Sequence, residues 1–199
     1  MTLRATRDVG SLRAPAAFRA IRSTLSRTST TELRVVHFSV QTNHVHLIVE
    51  ADGARSFTSG MRSLTTRLAL AVNRTLARRG RIWSDRFHTR ALTTPRAVRT
   101  ALVYVLANAY KHMRVRAGLD PCSSARAFDG FADRPSALPR APADLPPPRT
   151  WLLRIGWRRH GLLSTSERPA GCRYGPDMVQ RVRVHRARTH IDGSLDDTR

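Results

Sequence analysis

The stretch LRVVHFSVQTNHVHLIVE, residues 33–50, decides the fold of this chain. Apolar residues dominate Leu33–Val40 and again residues 44–50, and each run alternates in the manner of a β-strand. The residues between them, 41–43, are polar and predict a short turn. We therefore expect two strands that pair as an antiparallel hairpin.

Helical patterns flank this hairpin on both sides. Apolar residues recur at steps of three and four over residues 15–27, 54–79 and 95–115, which predicts three helices. Thr94 and Pro95 are a typical helix start, and Gly80 is expected to cap the end of the second helix. Two further strands are predicted, over residues 2–4 and 83–92.

A proline-rich stretch is predicted to divide the chain into two parts. Residues 134–150 include three consecutive prolines and predict an extended linker. We expect one main domain over residues 1–133 and a short basic extension over residues 151–199, whose role the sequence leaves open.

The charge of the chain points to a polyanionic partner. Its 199 residues carry 35 Lys and Arg against 14 Asp and Glu, a formal net charge of +21. Lys111 is the only lysine in the chain. A GC-rich genome explains this choice of arginine over lysine, but it does not explain the shortage of acidic residues. Nucleic acid is the commonest partner for such a surface.

Other functional classes are not favoured by the composition. Two cysteines make no disulfide framework, and no apolar run reaches the roughly 18 residues that a membrane span needs. The first residues lack the apolar segment of a signal peptide. We expect a bacterial, nucleoid-associated cytoplasmic protein with no membrane partner.

The first candidate for chemistry is His44-Val45-His46. Residues two apart in a strand point to the same face, so both imidazoles project to one side and can share a divalent cation. On its own the pattern does not establish a metal site, because a His-x-His pair in a strand is more often incidental.

The second candidate is Tyr104 with Asn108, four residues apart on the third predicted helix. Side chains at this spacing lie on one face, with Cβ atoms about 5–6 Å apart. A tyrosine on a helix is usually a packing residue, but Asn108 is a poor helix former and Lys111 and His112 extend a polar face.

Together the two candidates fit phosphodiester cleavage. A metal ion polarises a phosphate and neutralises developing charge, and a tyrosine hydroxyl can attack phosphorus and become covalently linked. The amide oxygen of Asn108 would be a further hard ligand, which suits Mg²⁺ or Mn²⁺.

The ordered set of motifs resembles the HUH single-tyrosine transposases, and most closely the branch called REP-associated tyrosine transposases. The resemblance covers about residues 33–131 and rests on motifs that occur in the family's order and spacing. These are NHVHLIV at 43–49, RIWSDRF at 81–87, YVLAN at 104–108, RAGL at 116–119 and PCSSA at 121–125. The chain departs from the family at Ala109, where proline is usual, and in its short opening strand.

This resemblance implies a fold, a reaction and a set of roles. The fold would be ferredoxin-like or RRM-like, an antiparallel sheet with helices on one face, and residues 1–133 would be the catalytic domain. His44 and His46 would hold the metal, with Asn108 as third ligand. Tyr104 would attack single-stranded DNA, at hairpin or repeat ends, to form a 5′-phosphotyrosine link and a free 3′-hydroxyl. Members of this family occur as monomers and as homodimers.

Two alternatives remain beside a transposase or strand transferase. A protein of the same fold that is inactive or domesticated would bind DNA without cutting it. A basic RNA-binding protein would explain the charge, but we find no exposed aromatic pair of the RRM type. For either DNA reading, several basic residues are candidate phosphate contacts: Arg67, Arg74, Arg86, Arg90 and Lys111.

Overall fold

Three antiparallel strands form the sheet in the computed structural model, which describes residues 1–107, 119–134 and 144–169. They are β1 (Thr2–Arg4), β2 (Leu33–Val40) and β3 (His44–Ala51), in the order β1-β3-β2. The predicted hairpin is confirmed, and its strand β3 lies at the centre of the sheet.

The hairpin register sets which side chains share a face. Phe38 pairs with Leu47, and Ser39 pairs with His46. The Gln41 N–H donates to the His44 carbonyl at 2.8 Å and closes the turn. A β-bulge shifts the register between Val35 and His37, so the alternation of β2 is interrupted there.

Two helices cover one face of the sheet. They are α1 (Pro15–Thr28) and α2 (Ala54–Thr75). Their apolar stripes meet the side chains of β2 and β3 that point to this face, in a first core cluster. It includes Ile21 and Leu25 of α1, Leu64 and Leu68 of α2, and Val35, Phe38, Val45 and Leu47 of the sheet.

The third helix covers the opposite face. α3 (Pro95–Leu106) packs with Val36 and Ile48 in a second core cluster. Because Leu47 and Ile48 are neighbours in a strand, they point to opposite faces. The expectation of helices on one face only is therefore wrong, since α1 and α2 lie on one side of the sheet and α3 on the other.

The segment predicted as a strand over residues 83–92 is not a regular strand. It makes two isolated bridges to the first strand region, Ala5 with Trp83 and Thr2 with His88. The Thr2 and His88 backbones exchange hydrogen bonds of 2.9 and 3.1 Å. Residues 82–88 thus run along the free edge of β1, and the order across the molecule is 82–88, β1, β3, β2.

The helix ends agree with the predictions only in part. The start of α3 is confirmed, because the Thr94 hydroxyl accepts from the Ala97 N–H at 3.1 Å. The second helix stops at Thr75, where Ala77 takes a left-handed φ of 48° before Gly80 is reached. α3 is described to Leu106, and its predicted continuation past residue 107 lies outside the described residues.

The proline-rich stretch and the residues after it pack against the domain where they are described. Glu50 accepts the backbone N–H groups of Arg149 and Thr150, both at 2.8 Å. A short helix α4 (Trp151–Arg154) and a 3-10 helix (Gly156–His160) follow, and Trp157 enters the second core cluster. In the described part of the chain, residues 149–160 thus contact both Glu50 and the second core cluster.

No helix within the described ranges is long and apolar enough to cross a lipid bilayer.

A buried ion pair fixes the segment that precedes α1. Arg13 donates from both terminal nitrogens to Asp120, at 3.0 and 2.7 Å, and also to the Val40 carbonyl at 2.8 Å. The Asp120 side chain is 2% exposed. The pair joins the start of α1 to the end of β2 and to residues 119–123.

We expect Arg13→Met to destabilise the protein by about 3 kcal/mol, because it leaves a buried carboxylate without its partner. Urea unfolding at neutral pH measures this loss. Arg19→Met, at an exposed position of α1, is the control and should change the free energy of unfolding by less than about 0.5 kcal/mol. Equal effects of the two changes would contradict the assignment.

Candidate functional site

The two histidines of β3 lie side by side on the face of the sheet that α3 covers. Their ring centroids are 4.5 Å apart with an interplanar angle of 77°. His46 is 3% exposed, whereas His44 is half-buried. The strand geometry therefore brings the imidazoles together as the spacing predicts, one inside the protein and one towards its surface.

The δ nitrogen of each ring is held by a neighbouring side chain. His46 Nδ1 lies 2.9 Å from the Thr2 hydroxyl, since Thr2 pairs with His46 across β1 and β3. His44 Nδ1 lies 2.8 Å from Asn43 Oδ1. An amide oxygen only accepts, so this contact requires a proton on His44 Nδ1, and the neutral form of the ring then has its lone pair on Nε2.

Tyr104 of α3 meets this pair. Its ring centroid is 4.8 Å from that of His46, at an interplanar angle of 76°, and its side chain is half-buried. The helix is held over β3 by the second core cluster, which contains Leu102 and Ile48. The structure thus brings His44, His46 and Tyr104 together, although 58 residues separate His46 from Tyr104 along the chain.

The remaining predicted ligand, Asn108, and the predicted phosphate contact Lys111 lie outside the described residues. Within the described ranges, no group of three or more His, Cys, Asp or Glu side chains is placed to hold a metal ion. His44 and His46 are two neighbouring imidazoles, a ligand type that divalent transition-metal ions accept together with oxygen ligands.

The predicted arginines that the structure describes lie in two different parts of the fold. Arg67 and Arg74 are exposed on α2, which covers the face of the sheet opposite to Tyr104, so the structure does not bring them to the site. Arg86 and Arg90 are exposed in and beyond the segment that follows the edge of β1.

One basic residue near the histidines was missed by sequence reasoning. Arg4 pairs with His44 across β1 and β3 and is exposed. Side chains of paired residues point to the same face of a sheet, so this guanidinium belongs to the same face as the histidines. The register of a three-residue strand cannot be read from the sequence, which is why neither Arg4 nor Thr2 could be selected.

The Thr2 hydroxyl provides a test of whether the histidine pair binds a metal ion. We expect Thr2→Val to weaken Mn²⁺ binding by about 10–100-fold, the usual effect of removing the group that orients a histidine ligand. Thr2→Ser should restore binding because it keeps the hydroxyl. Isothermal titration with Mn²⁺ gives the affinity, and Thr93→Val, at an exposed position, is the control. Unchanged affinity in Thr2→Val would remove Thr2 from the site.

Comparisons of the chain with protein-family models, curated proteins and solved structures found no match in any of the three.

Proposed function

We propose that this protein is a DNA strand transferase that cuts and rejoins single-stranded DNA through a covalent link to Tyr104. The observation that carries the proposal is the contact of Tyr104 with His46, at 4.8 Å between ring centroids. Two patterns that are unremarkable separately, one on a strand and one on a distant helix, meet at one place. The resemblance to the HUH single-tyrosine transposases supports the same assignment.

The reaction exchanges one phosphate ester for another. The Tyr104 oxygen attacks a backbone phosphorus, a bond from phosphorus to the tyrosine forms, and the bond to the 3′-oxygen breaks. The phenol proton passes to solvent and the departing oxygen takes one up, which leaves a 3′-hydroxyl and a 5′-phosphotyrosine. Because one ester bond forms as one breaks, a second attack by a 3′-hydroxyl rejoins strands without nucleotide hydrolysis.

His44 and His46 would hold the divalent cation in this proposal, through their ε nitrogens. Asn43 and Thr2 support this by engaging the δ nitrogens. Asn108 is the third ligand that the resemblance implies. A bound Mg²⁺ or Mn²⁺ would supply electrophilic activation of the phosphate and neutralise charge on its oxygens.

The protein's own charges would hold the strand. Arg4 lies on the face of the histidines, and Arg86 and Arg90 are exposed near the neighbouring edge. The formal net charge of +21 supports binding along a phosphate backbone.

The fold in this proposal is ferredoxin-like. The order 82–88, β1, β3, β2 supports it, as do the positions of α1 after β1 and α2 after β3 on one face. In such an arrangement α3 is an addition that brings Tyr104 to the other face.

The polarity of the covalent link tests the function. Hairpin DNA with single-stranded flanks is labelled at either its 5′ or its 3′ end and incubated with the protein and Mn²⁺. We expect a denaturation-resistant adduct that retains the 3′ label, while the 5′ label leaves on a shorter strand. Retention of the 5′ label would contradict the proposed 5′-phosphotyrosine.

The same assay separates the second candidate, a DNA-binding protein of this fold that is inactive or domesticated. Such a protein would shift the labelled DNA on a native gel and give no adduct with either label. That result would overturn the strand-transfer proposal and leave DNA binding in place.

A further inference from the structure

A cleft of about 400 Å³ lies at the outer edge of the sheet, beside β2. It opens between β2, residues 123–129, residues 144–148 and the start of the C-terminal helices. His37 forms the floor of the cleft. In the hairpin register Ser39 pairs with His46 and His37 lies two residues before Ser39, so His37 is on the same face of the sheet as His46. The cleft is thus next to the Tyr104 site on the sheet but is built from other residues.

The floor of the cleft is aromatic with one polar corner. His37 Nδ1 lies 3.3 Å from the Ser124 hydroxyl, and the His37 ring stands edge-on to Phe128 at 5.3 Å. Burial lowers the pKa of His37 to about 4, so the ring is neutral at physiological pH. A neutral imidazole with one nitrogen used by Ser124 keeps the other for a hydrogen bond as donor or acceptor.

The rim of the cleft carries four arginines, two of which are neutralised. Arg158 pairs with Asp129 at 3.3 Å, and Arg22 pairs with Asp144. The other two, Arg126 and Arg154, are exposed, and neither has an ion-pair partner among the described residues. The rim therefore carries net positive charge above an uncharged floor.

One wall of the cleft is a fixed strap, residues 144–150. Its three consecutive prolines, 146–148, line the cleft. Glu50 accepts hydrogen bonds from Thr150 Oγ1 at 2.7 Å and from two backbone N–H groups of the strap. Arg34 donates to the Pro147 carbonyl. Anchors at both ends, Arg22 with Asp144 and Glu50 with Thr150, hold the wall in place.

We propose that this cleft receives one unpaired nucleotide of the bound DNA strand, with the base between Phe128 and the proline wall and the phosphate at Arg126 and Arg154. The volume falls within the ~300–1,000 Å³ of small-molecule sites. An apolar and aromatic interior with a polar corner suits a base, which has two apolar faces and a hydrogen-bonding edge. The guanidinium groups of Arg126 and Arg154 at the rim, which have no ion-pair partner among the described residues, suit its phosphate.

The inference rests on the proposed function, since it takes the ligand to be part of a DNA strand. It adds a base-binding site outside the Tyr104 centre. The test compares two single-stranded probes of equal charge, an oligothymidylate of eight nucleotides and an abasic strand of the same length. Both are titrated against the full chain in EDTA, so that binding is measured without cleavage.

The expected result is about tenfold tighter binding of oligothymidylate than of the abasic strand, as for one stacked base. Ala127→Trp should fill the cleft and reduce this preference about fivefold or more, with little change in binding of the abasic strand. Ala132→Trp, at an exposed position outside the cleft, is the matched control. An unchanged preference in Ala127→Trp would overturn the inference.

A second variant and a second measurement cover a folding failure of Ala127→Trp. Replacing Arg126 and Arg154 with Ala should weaken binding of oligothymidylate more than the equal loss of charge in Arg62→Ala with Arg79→Ala. Photocrosslinking with 4-thiothymidine should label peptides that line the cleft, and labels confined to other peptides would contradict the proposal.

The outcomes distinguish this inference from the proposed function. A covalent adduct at Tyr104 with no base preference in the cleft overturns the inference alone. A base preference that depends on the cleft, without any adduct, overturns the strand-transfer chemistry alone. No binding of either strand overturns both.

Discussion

Tyr104→Phe should abolish the covalent protein–DNA adduct while leaving DNA binding within about twofold of the wild type. The change removes only the hydroxyl that attacks phosphorus, and loss of a nucleophile costs roughly a thousandfold or more in rate. The ring that packs on His46 at 4.8 Å is kept. Adduct is measured on denaturing gels and binding on native gels, with the same labelled hairpin.

Tyr110→Phe is the matched control for this prediction. Tyr110 is a second phenol only six residues along the chain from Tyr104, so its removal tests whether the position of the hydroxyl matters. We expect adduct formation as in the wild type. An adduct that survives Tyr104→Phe, or one that disappears in Tyr110→Phe alone, would overturn the role of Tyr104.

His44→Ala should lower metal-dependent cleavage by about 100-fold or more. Removing a group that merely supports a metal ligand already costs about 10–100-fold, and this change removes the ligand itself. His44 is half-buried, unlike His46, so its loss should disturb the core little. Binding of single-stranded DNA in EDTA should be unchanged, because it depends on the arginines.

The control for this variant is His160→Ala, an exposed histidine at the end of the C-terminal 3-10 helix. It should cleave DNA as the wild type does over a full Mn²⁺ titration. Wild-type cleavage by His44→Ala at low Mn²⁺ would exclude His44 as a ligand.

Much of the fold could be predicted because it depends on local periodicity. The hairpin follows from alternation over residues 33–50, and α1 and α2 follow from apolar stripes. The apolar stripes do not show which face of the sheet each helix covers. All four residues from Val45 to Ile48 are buried, which shows that both faces of β3 are covered, but this burial is a property of the folded chain.

Two sets of contacts at the edges of the fold could not be predicted from the sequence, for the same physical reason. The segment predicted as a strand, residues 83–92, bridges to the region of β1 only at Trp83 and His88. The strap resembles a linker in composition, but Glu50 fixes it through contacts a hundred residues apart in sequence. Such contacts depend on tertiary packing, which composition and periodicity do not encode.

Part of the candidate site could also be predicted from local sequence patterns, and part depends on tertiary packing. The histidine pair could be selected because a strand repeat of two is local, and Tyr104 was selected by its spacing to Asn108 and by resemblance. That the tyrosine contacts His46 depends on how α3 packs over Ile48. Thr2 and Arg4 depend on the register of β1 with β3, which no local pattern reveals.

The most direct test of the central claim is to locate the covalent link. The adduct is formed with Mn²⁺, its DNA is trimmed with nuclease, and the protein is digested with trypsin and sequenced by mass spectrometry. Cleavage after Arg99 and Lys111 yields a peptide of residues 100–111 that contains both Tyr104 and Tyr110. We predict that the nucleotide mass is on Tyr104. Its presence on Tyr110, or on any other residue, would contradict the account.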